Sequence, residues 1–344
     1  MTRPLGVGFI GAGPVTRAIH LPTLADLGDR LRTVAVADVD TATATAVAAR
    51  CPGARACTVD ELLEDPAVDV VAICSPHDVH ADQAVAAIEA GKRGVLCEKP
   101  FATTVDEAQR IVDAAATASV PVVVGAMHGY DPAWVCAQSS WGDLADTATL
   151  ARSTIYLPSN DEFTGLATEQ PPVPGSAPAV AGPAPTAADL VRMGVLGLAS
   201  HTVPHLRRFL RGVPEVVSAR YVAPWGYHLV LTAEGRTGVL LALMPGEWGP
   251  GWRFEAFAPN GSLDVVYPPS YVRAGSATAT LTDARGLRRS WTGPANGYRQ
   301  EWLHLADVVE GRAAPLQSVA DAAADLAFAV TVADGAEKIL EGNA

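Results

Sequence analysis

The first 125 residues alternate short apolar runs with longer, alanine-rich segments, and this alternation restricts the fold more than any other feature. Runs rich in Val and Ile predict strands at 5–10, 32–38, 68–74, 93–97 and 120–125. The segments between them predict helices at 40–50, 78–90 and 104–118. Continuous apolar strands that alternate with helices are typical of a parallel sheet covered on both faces. Residues 1–125 are therefore predicted to be a doubly wound α/β domain.

Residues 126–344 show a different pattern. A strand predicted at 148–157 leads into a proline-rich insertion around 157–186, which we interpret as a lid, an arm or a surface loop. A helix interrupted at Gly194, Gly197 and Pro204 is predicted over 186–210. Strands are then predicted at 214–223, 226–234, 238–245, 252–259, 262–267 and 277–282. Because no helix separates them, they indicate an α+β domain with an open, mostly antiparallel sheet. The closing helices, 297–311 and 318–341, could pack back onto the first domain.

Composition and charge exclude several classes of protein. Hydrophobic residues make up 49% of the chain and charged residues 18%, which is typical of a folded globular protein. The formal net charge of −12, without a basic run, argues against a nucleic-acid partner. No apolar stretch approaches the roughly 18 residues of a membrane span, so no membrane partner is expected. Five scattered cysteines form no C-x-x-C pair and indicate a reducing, cytoplasmic compartment.

The segment Gly11-Ala12-Gly13-Pro14-Val15 lies between the first predicted strand and a helix. Gly11 permits a tight turn, and Gly13 lets the backbone approach a pyrophosphate at the helix N-terminus. Thr16 occupies the place of the third glycine of the usual fingerprint, which would set helix and strand slightly further apart. In this strand–turn–helix context the segment predicts a dinucleotide-binding Rossmann domain, with these five residues against the cofactor.

Asp38 ends the second predicted strand. A carboxylate there accepts hydrogen bonds from the ribose 2′-hydroxyl and repels a 2′-phosphate, and the next residues, Val39 and Asp40, supply no cation. The predicted cofactor is therefore NAD, with NADP less favoured. The alternative is that Asp38 only caps the following helix.

Two further segments follow strands at the carboxyl edge of the sheet, where ligands bind in this class of fold. After the third strand come Ser75, Pro76, His77 and His80, which we predict to line the cofactor site, although His80 could simply pack under the loop. After the strand 93–97 comes Glu98-Lys99-Pro100. A buried lysine has a lowered ammonium pKa, which suits it to carry a proton beside the nicotinamide. A solvated surface lysine is the alternative.

These motifs together resemble those of the Gfo/Idh/MocA family, the glucose–fructose oxidoreductase and inositol dehydrogenase-like enzymes. The resemblance rests on the glycine turn, His20-Leu21-Pro22, Asp38, Ser75-Pro76 with His80, and Ala90-Gly91-Lys92 followed by Glu98-Lys99-Pro100. The ending from Glu301-Trp302 to Ala333-Asp334-Gly335 is also similar to the closing helices of the family. The resemblance implies Lys99 as the proton-handling residue, with Glu98 and Pro100 fixing its loop and Glu98 also beside the cofactor. It also implies a homodimer or homotetramer formed through the C-terminal sheet.

The substrate side departs from the family pattern. Aligned on His201, the two acids that usually flank this histidine become Gly197 and Pro204, whereas His205 lies one helical turn further on. His128 stands where family members often carry an arginine. The resemblance thus implies His201 as a second catalytic residue, and Lys99, His128, His201 and His205 as substrate contacts. Packing of both helix histidines is one alternative. A metal site is another, but no third ligand is evident, so no metal is expected.

The sequence thus predicts an NAD(P)-dependent oxidoreductase. It would exchange hydride with a secondary alcohol or ketone of a sugar, cyclitol or related small polar metabolite, with Lys99 moving the proton. Three alternatives stay open at this point. They are an imine reductase of the same family, an NAD-dependent glycosidase without net redox, and a non-catalytic cofactor-binding protein.

Overall fold

The computed structural model describes residues 3–157, 184–244, 251–268 and 273–342. Most of the proline-rich insertion lies outside these ranges. The chain divides into two compact units, the first formed by Met1–Asp131 with Ala295–Ala327 and the second by Pro132–Pro294 with Phe328–Ala344. The range 126–344 predicted for the second domain is thus divided between the units, because 126–131 and 295–327 belong to the first.

The first unit contains a six-stranded sheet in the order β3-β2-β1-β4-β5-β6, in which all neighbouring strands are parallel. The strands are β1 Leu5–Ile10, β2 Leu31–Ala37, β3 Arg55–Cys57, β4 Val70–Ile73, β5 Gly94–Glu98 and β6 Val122–Gly125. This is the Rossmann strand order. Successive strands are added toward one edge of the sheet from β1 to β3 and toward the other edge from β4 to β6, so the order reverses between β1 and β4. The prediction of a doubly wound parallel sheet is confirmed.

The helices of the first unit include both predicted and unpredicted elements. A π-helical turn, Thr16–His20, runs directly into α1. The α-helices are α1 Leu21–Ala25, α2 Thr41–Ala48, α3 Val59–Glu64, α4 His80–Glu89 and α5 Val105–Ala118, and 3-10 turns cover His77–Val79 and Met127–Tyr130. Threonines with a glutamate at the third helical position form capping boxes at α3 and α5. Sequence reasoning missed β3 and α3. Strand β3 carries little signal, because it has only three residues and two of them are exposed.

A later segment of the chain completes the core of the first unit. This segment forms α10, Gly297–Val309. Its Trp302 and Leu305 are fully buried and pack with Phe9 of β1 in the core cluster. At Gly94 of β5, an added Cβ would lie 2.6 Å from the Cγ2 atom of Val309. The close approach of α10 to β5 therefore depends on the glycine.

The second unit contains an eight-stranded sheet in the order β14-β13-β12-β11-β7-β10-β9-β8. Its strands are β7 Leu150–Tyr156, β8 Glu215–Tyr221, β9 Gly226–Ala233, β10 Arg236–Leu243, β11 Trp252–Ala258, β12 Gly261–Tyr267, β13 Thr278–Asp283 and β14 Arg288–Trp291. Among the described strands of this second sheet, only β7 and β10 pair in parallel. The predicted open, mostly antiparallel sheet is confirmed. Sequence reasoning missed the short edge strand β14.

The helices of the second unit are α6 Pro132–Gln138, α7 Leu144–Thr147, α8 Ala187–Gly197 and α9 Val203–Phe209, joined by a 3-10 turn at Ala199–His201. Helix α11, Val319–Gly342, begins in the first unit and ends in the second. The predicted interruption at Gly194 is wrong, because α8 continues through it to Gly197. A Cβ at Gly194 would lie 2.7 Å from the Tyr227 ring, so the glycine serves packing. Among the described residues, no helix has the length and apolar character that a membrane crossing requires.

Candidate active site

The glycine turn joins the end of β1 to the π-helical turn. Gly11 adopts φ +96°, and an added Cβ would lie 2.6 Å from the carbonyl carbon of Cys74, so only glycine fits without strain. At Gly13 a Cβ would meet no atom within 4 Å, which leaves the backbone approachable from outside. Thr16, in place of the third glycine, is fully buried and donates its hydroxyl to the Gly11 carbonyl oxygen at 2.7 Å. The threonine therefore stabilises the turn.

Asp38 lies directly after β2 and contacts the glycine turn. Its Oδ2 atom accepts the backbone N–H of Ala12 at 2.7 Å, and its Oδ1 atom accepts the N–H of Asp40 at 2.9 Å. Asp40, rather than Asp38, caps α2, because its side chain accepts from the N–H of Ala42. The structure thus assigns the helix cap to Asp40 and leaves Asp38 half-buried beside the turn.

The segment after β4 is fixed by a buried histidine. The ring nitrogens of His80 lie 2.8 Å from the Ser75 carbonyl oxygen and 2.9 Å from the Pro100 carbonyl oxygen. His80 is fully buried, so it acts as a tie between the loops after β4 and β5. Pro76 and His77 are exposed at this edge, and the Ser75 hydroxyl donates to Gln83.

Glu98 is the last residue of β5, the strand next to β4 in the sheet, and Lys99 follows it directly. The Glu98 carboxylate is buried, and its Oε2 atom accepts the Lys99 backbone N–H at 3.1 Å. Burial acts to raise the pKa of Glu98, but the hydrogen bond from His20 and the charge of Lys99 hold it below its usual value. Burial lowers the pKa of the Lys99 ammonium, and the charge of Glu98 opposes this effect. The Lys99–Pro100 peptide bond is cis.

Two residues absent from the predicted site complete the surroundings of Glu98. The Nε2 atom of His20 lies 3.0 Å from the Oε1 atom of Glu98, and the indole N–H of Trp302 donates to the Nδ1 atom of His20 at 3.1 Å. Both rings are fully buried. Sequence reasoning used both residues only for the family resemblance, since they lie far apart in the chain. The signal available was a histidine just after the glycine turn.

The strand order brings most of the predicted cofactor residues to one edge of the first unit. Gly11, Asp38, Ser75 and Lys99 follow β1, β2, β4 and β5, which are neighbours in the sheet. Because parallel strands end at the same edge, these residues lie along one edge of the sheet, on both sides of the point where the strand order reverses. His128 follows β6 in the same unit and is buried, and burial lowers its pKa to about 3. Its imidazole is therefore neutral at physiological pH.

The remaining predicted residues, His201 and His205, lie in the second unit. His201 is buried in the 3-10 turn, with its ring edge-on to Trp252 at 5.1 Å between centroids. His205 is fully buried, and its Nε2 atom is 2.7 Å from the Tyr267 hydroxyl. Neither Gly197 nor Pro204 supplies a carboxylate there. Within the part of the chain that the structure describes, no group of three or more His, Cys, Asp or Glu side chains could hold a metal ion.

Comparison with known proteins agrees with this arrangement. The model of the Gfo/Idh/MocA oxidoreductase family, with its NAD-binding Rossmann fold, matches residues 5–126. Inositol 2-dehydrogenase 2 of Saccharopolyspora erythraea is 38% identical over 133 residues, an alignment that spans 38% of this chain and 39% of that enzyme. Inositol 2-dehydrogenase 1 of the same organism is 29% identical over 316 residues, spanning 87% of this chain and 85% of that enzyme.

The fold of the whole chain is also found among solved structures. A 3-ketoreductase from Actinomadura kijaniata, in complex with NADP and TDP-benzene, aligns with a TM-score of 0.70 and 19% identity. The alignment covers 96% of this chain and 98% of that one. Both the nucleotide-binding fold and the second, open-sheet fold are therefore shared. Residues 5–126, which contain the glycine turn and the half-buried Lys99, thus match the NAD-binding Rossmann domain of the Gfo/Idh/MocA oxidoreductase family, and the whole chain is similar to dehydrogenases and reductases of this fold.

Proposed function

We propose that this protein is an NAD-linked oxidoreductase that exchanges hydride with a secondary alcohol or ketone of a sugar, cyclitol or related small polar metabolite. The observation that carries the proposal is the placement of Lys99. It is half-buried at the carboxyl end of β5, its backbone N–H is bound by Glu98, and it borders the same sheet edge as the glycine turn. A non-catalytic dinucleotide-binding protein would not need a lysine with a lowered pKa at this edge.

The residues at the edge fit a dinucleotide. Gly11 admits no side chain and Gly13 presents open backbone, as close approach of a pyrophosphate requires. The Asp38 carboxylate accepts two backbone N–H groups beside the turn, and in this proposal it binds a ribose hydroxyl and repels a 2′-phosphate. Its charge supports NAD over NADP for this chain, although the related ketoreductase was solved with NADP. When bound, a nicotinamide supplies the acceptor or donor of the hydride.

Lys99 carries the proton that accompanies the hydride. In the direction of oxidation, the neutral amine takes the hydroxyl proton while the carbinol carbon gives up its hydride with both electrons of the C–H bond, leaving a ketone. In reduction, the ammonium returns the proton to the oxygen. Burial lowers the pKa of Lys99, so its neutral form is more accessible near physiological pH than that of an exposed lysine.

Histidines of both units are the candidate substrate residues of this proposal. His201 of the second unit is the second candidate for proton transfer, and His128 of the first unit and His205 of the second are candidate substrate contacts. The relatives named inositol 2-dehydrogenase and 3-ketoreductase support a hydroxylated substrate. Because the usual acids are replaced by Gly197 and Pro204, we propose a substrate that needs fewer carboxylate contacts than a simple cyclitol. The Nε2 atom of His205 is hydrogen-bonded to the Tyr267 hydroxyl, so a substrate contact through this atom would have to share it or replace that bond.

The decisive experiment compares Lys99→Ala with Lys338→Ala, an exposed lysine on α11. Turnover is followed by the absorbance of the reduced nicotinamide, with NAD(H) and NADP(H) against a panel of inositols, sugars and their keto forms. We expect Lys99→Ala to lower kcat by about 10²- to 10⁴-fold, the range of general acid–base catalysis, and to leave dinucleotide binding intact. Lys338→Ala should match the wild type. Equal turnover in both variants would contradict the proposed role of Lys99.

We further propose that the protein is a cytoplasmic homo-oligomer assembled through the outer face of the eight-stranded sheet. Phe257 and Val266 on neighbouring strands of this face are 38% and 40% exposed, respectively. Ion pairs between Arg253 and Asp264 and between Arg152 and Glu255 lie beside them. All five cysteines are unpaired thiols, in keeping with a reducing compartment. Sedimentation velocity of the purified chain tests the association.

A further inference from the structure

Four residues of the first unit form a linear chain of hydrogen bonds that ends at Lys99. The Trp302 indole N–H lies 3.1 Å from the Nδ1 atom of His20, and the Nε2 atom of His20 lies 3.0 Å from the Oε1 atom of Glu98. The Oε2 atom of Glu98 then accepts the backbone N–H of Lys99 at 3.1 Å. The chain starts on α10, passes the π-helical turn behind the glycine turn, and reaches the end of β5.

The direction of every bond in this chain follows from its first member. An indole nitrogen only donates, so the Nδ1 atom of His20 must accept and carries no proton. The ring proton therefore resides on Nε2 and points at Glu98. Glu98, as an ionised carboxylate, accepts this proton through one oxygen and the Lys99 backbone N–H through the other. A single indole thus fixes the tautomer of His20 and the orientation of the Glu98 carboxylate.

Burial and neighbouring titratable groups have opposite effects on the charge of the His20 ring. Burial opposes a charge on the ring, but Cys74 and Glu98 favour one and together raise the pKa of His20 well above its usual value. Burial raises the pKa of Glu301 on α10 well above its usual value, which favours its neutral, uncharged form. A second ring proton on His20 would set an N–H on Nδ1 against the N–H of Trp302. That conflict of two donors opposes the charge that the neighbouring groups favour, and the expectation of a neutral His20 rests on this hydrogen bond.

Resting on the proposed function, we propose that Trp302 and His20 are positioning residues that orient Glu98 and, through it, the Lys99 loop for proton transfer. Neither ring belongs to the reacting groups. They hold the Glu98 carboxylate in one orientation, in which it accepts the backbone N–H of Lys99. Phe9 of β1 packs against both rings, with centroids 6.2 Å from His20 and 6.1 Å from Trp302, which holds them in place.

The first test reads the tautomer directly, without any substrate. In wild-type protein labelled with ¹⁵N-histidine, long-range ¹H–¹⁵N spectra distinguish the two neutral tautomers and the imidazolium. The signal of His20 is identified by its loss in His20→Gln. We expect a neutral ring protonated on Nε2 from pH 6 to 8, a range spanning about one unit on either side of physiological pH. An imidazolium or an Nδ1–H tautomer at pH 7 in the wild type would overturn the proposal.

The second test uses Trp302→Phe, which keeps the aromatic packing and removes only the N–H. Without that donor, His20 can take up a second proton, and the added positive charge disfavours the Lys99 ammonium. We expect kcat to fall about tenfold, as for one lost orienting hydrogen bond, with the KM for the dinucleotide within about twofold of the wild type. The pH midpoint of kcat for alcohol oxidation should move to lower pH.

The controls separate positioning from loss of stability. Trp141→Phe makes the same change at a partly buried tryptophan of the second unit, packed on Trp134 and Phe209. It should leave kcat and its pH midpoint unchanged. His20→Gln, whose amide can still donate to Glu98, should retain more kcat than His20→Ala. An unchanged kcat and pH midpoint in Trp302→Phe would overturn the positioning role.

The two proposals fail in different ways. If the wild type oxidises no alcohol and reduces no ketone with either dinucleotide, the proposed function is wrong. The ¹⁵N spectra then still decide the hydrogen-bond chain, because the tautomer of His20 is read without turnover. If turnover is present and the tautomer differs from the expected one, the function stands and the positioning proposal fails.

Discussion

At the scale of single residues, the glycine turn is stabilised by side chains outside the glycine fingerprint. Thr16 occupies the third glycine position and gives its hydroxyl to the Gly11 carbonyl oxygen, and Asp38 accepts the Ala12 N–H. Under the proposed function Asp38 would have two roles, since the carboxylate that shapes the turn would also present a negative charge to the ribose. A substitution there is expected to change both the cofactor preference and the local structure.

We expect Asp38→Asn to shift the cofactor preference toward NADP. The amide keeps an acceptor oxygen for the Ala12 N–H but removes the charge that repels a 2′-phosphate. The ratio of kcat/KM for NADP(H) to that for NAD(H) should rise about tenfold or more, as expected for one removed like charge at close range. Asp60→Asn, an exposed carboxylate in the first turn of α3, serves as the control. The same ratio in both variants would contradict the prediction.

At the scale of elements, the contact between β5 and α10 depends on the absence of one side chain. Gly94 faces the Cγ2 atom of Val309 and the Cδ1 atom of Leu305, at 2.6 and 3.2 Å from an added Cβ. The same helix carries Trp302 at the start of the hydrogen-bond chain. The packing of α10 against the sheet therefore supports the orientation of Glu98 at the end of β5.

We expect Gly94→Ala to destabilise the protein by about 1–3 kcal/mol, the usual cost of overpacking in a core. Removing the side-chain atom that collides should relieve this strain. In Gly94→Ala combined with Val309→Ala, the decrease in the free energy of unfolding should be smaller than the sum of the decreases in the two single variants. Urea unfolding of the wild type, both single variants and the double variant measures this coupling. Strict additivity would show that the helix shifts without strain.

At the scale of the whole molecule, folding buries a carboxyl group that is exposed to water in the unfolded chain. Both oxygens of Glu301 are buried and have no hydrogen-bond partner among the described residues. Burial raises the pKa of Glu301 well above its usual value of 4.5. The folded protein therefore binds a proton that the unfolded chain releases once the pH exceeds 4.5. This group makes the folded state progressively less stable as the pH rises from that value toward the raised pKa.

We expect Glu301→Gln to remove this part of the pH dependence. The free energy of unfolding of the variant should fall less than that of the wild type between pH 5 and pH 8, because the amide has no proton to lose. The difference should reach about 1–3 kcal/mol at the upper end, the cost of a buried polar group without a partner. Urea unfolding at intervals of pH measures it. Parallel pH curves for the two proteins would show that Glu301 is ionised or solvated in the folded state.

The sequence by itself determined the class of fold and singled out candidate site residues of the first unit. Strands β1, β2, β4, β5 and β6 could be predicted because parallel strands covered on both faces must be continuously apolar. Gly11 and Lys99 could be singled out because their requirements are local, a turn with positive φ and a position directly after a buried strand. Elements such as β3 and β14 carry no comparable signal, since short and exposed edge strands need not be apolar.

Only the tertiary structure decided how the Lys99 loop is held. His20, Glu98 and Trp302 lie in three distant parts of the chain, and no periodicity links an indole to an imidazole that far away. Direct hydrogen bonding among them requires the fold to place α10 against β5, a contact that depends on packing at Gly94. The apolar pattern specifies which segments are buried. The choice of polar partners inside the core follows from three-dimensional packing, because each buried donor and acceptor must find its partner where the fold places it.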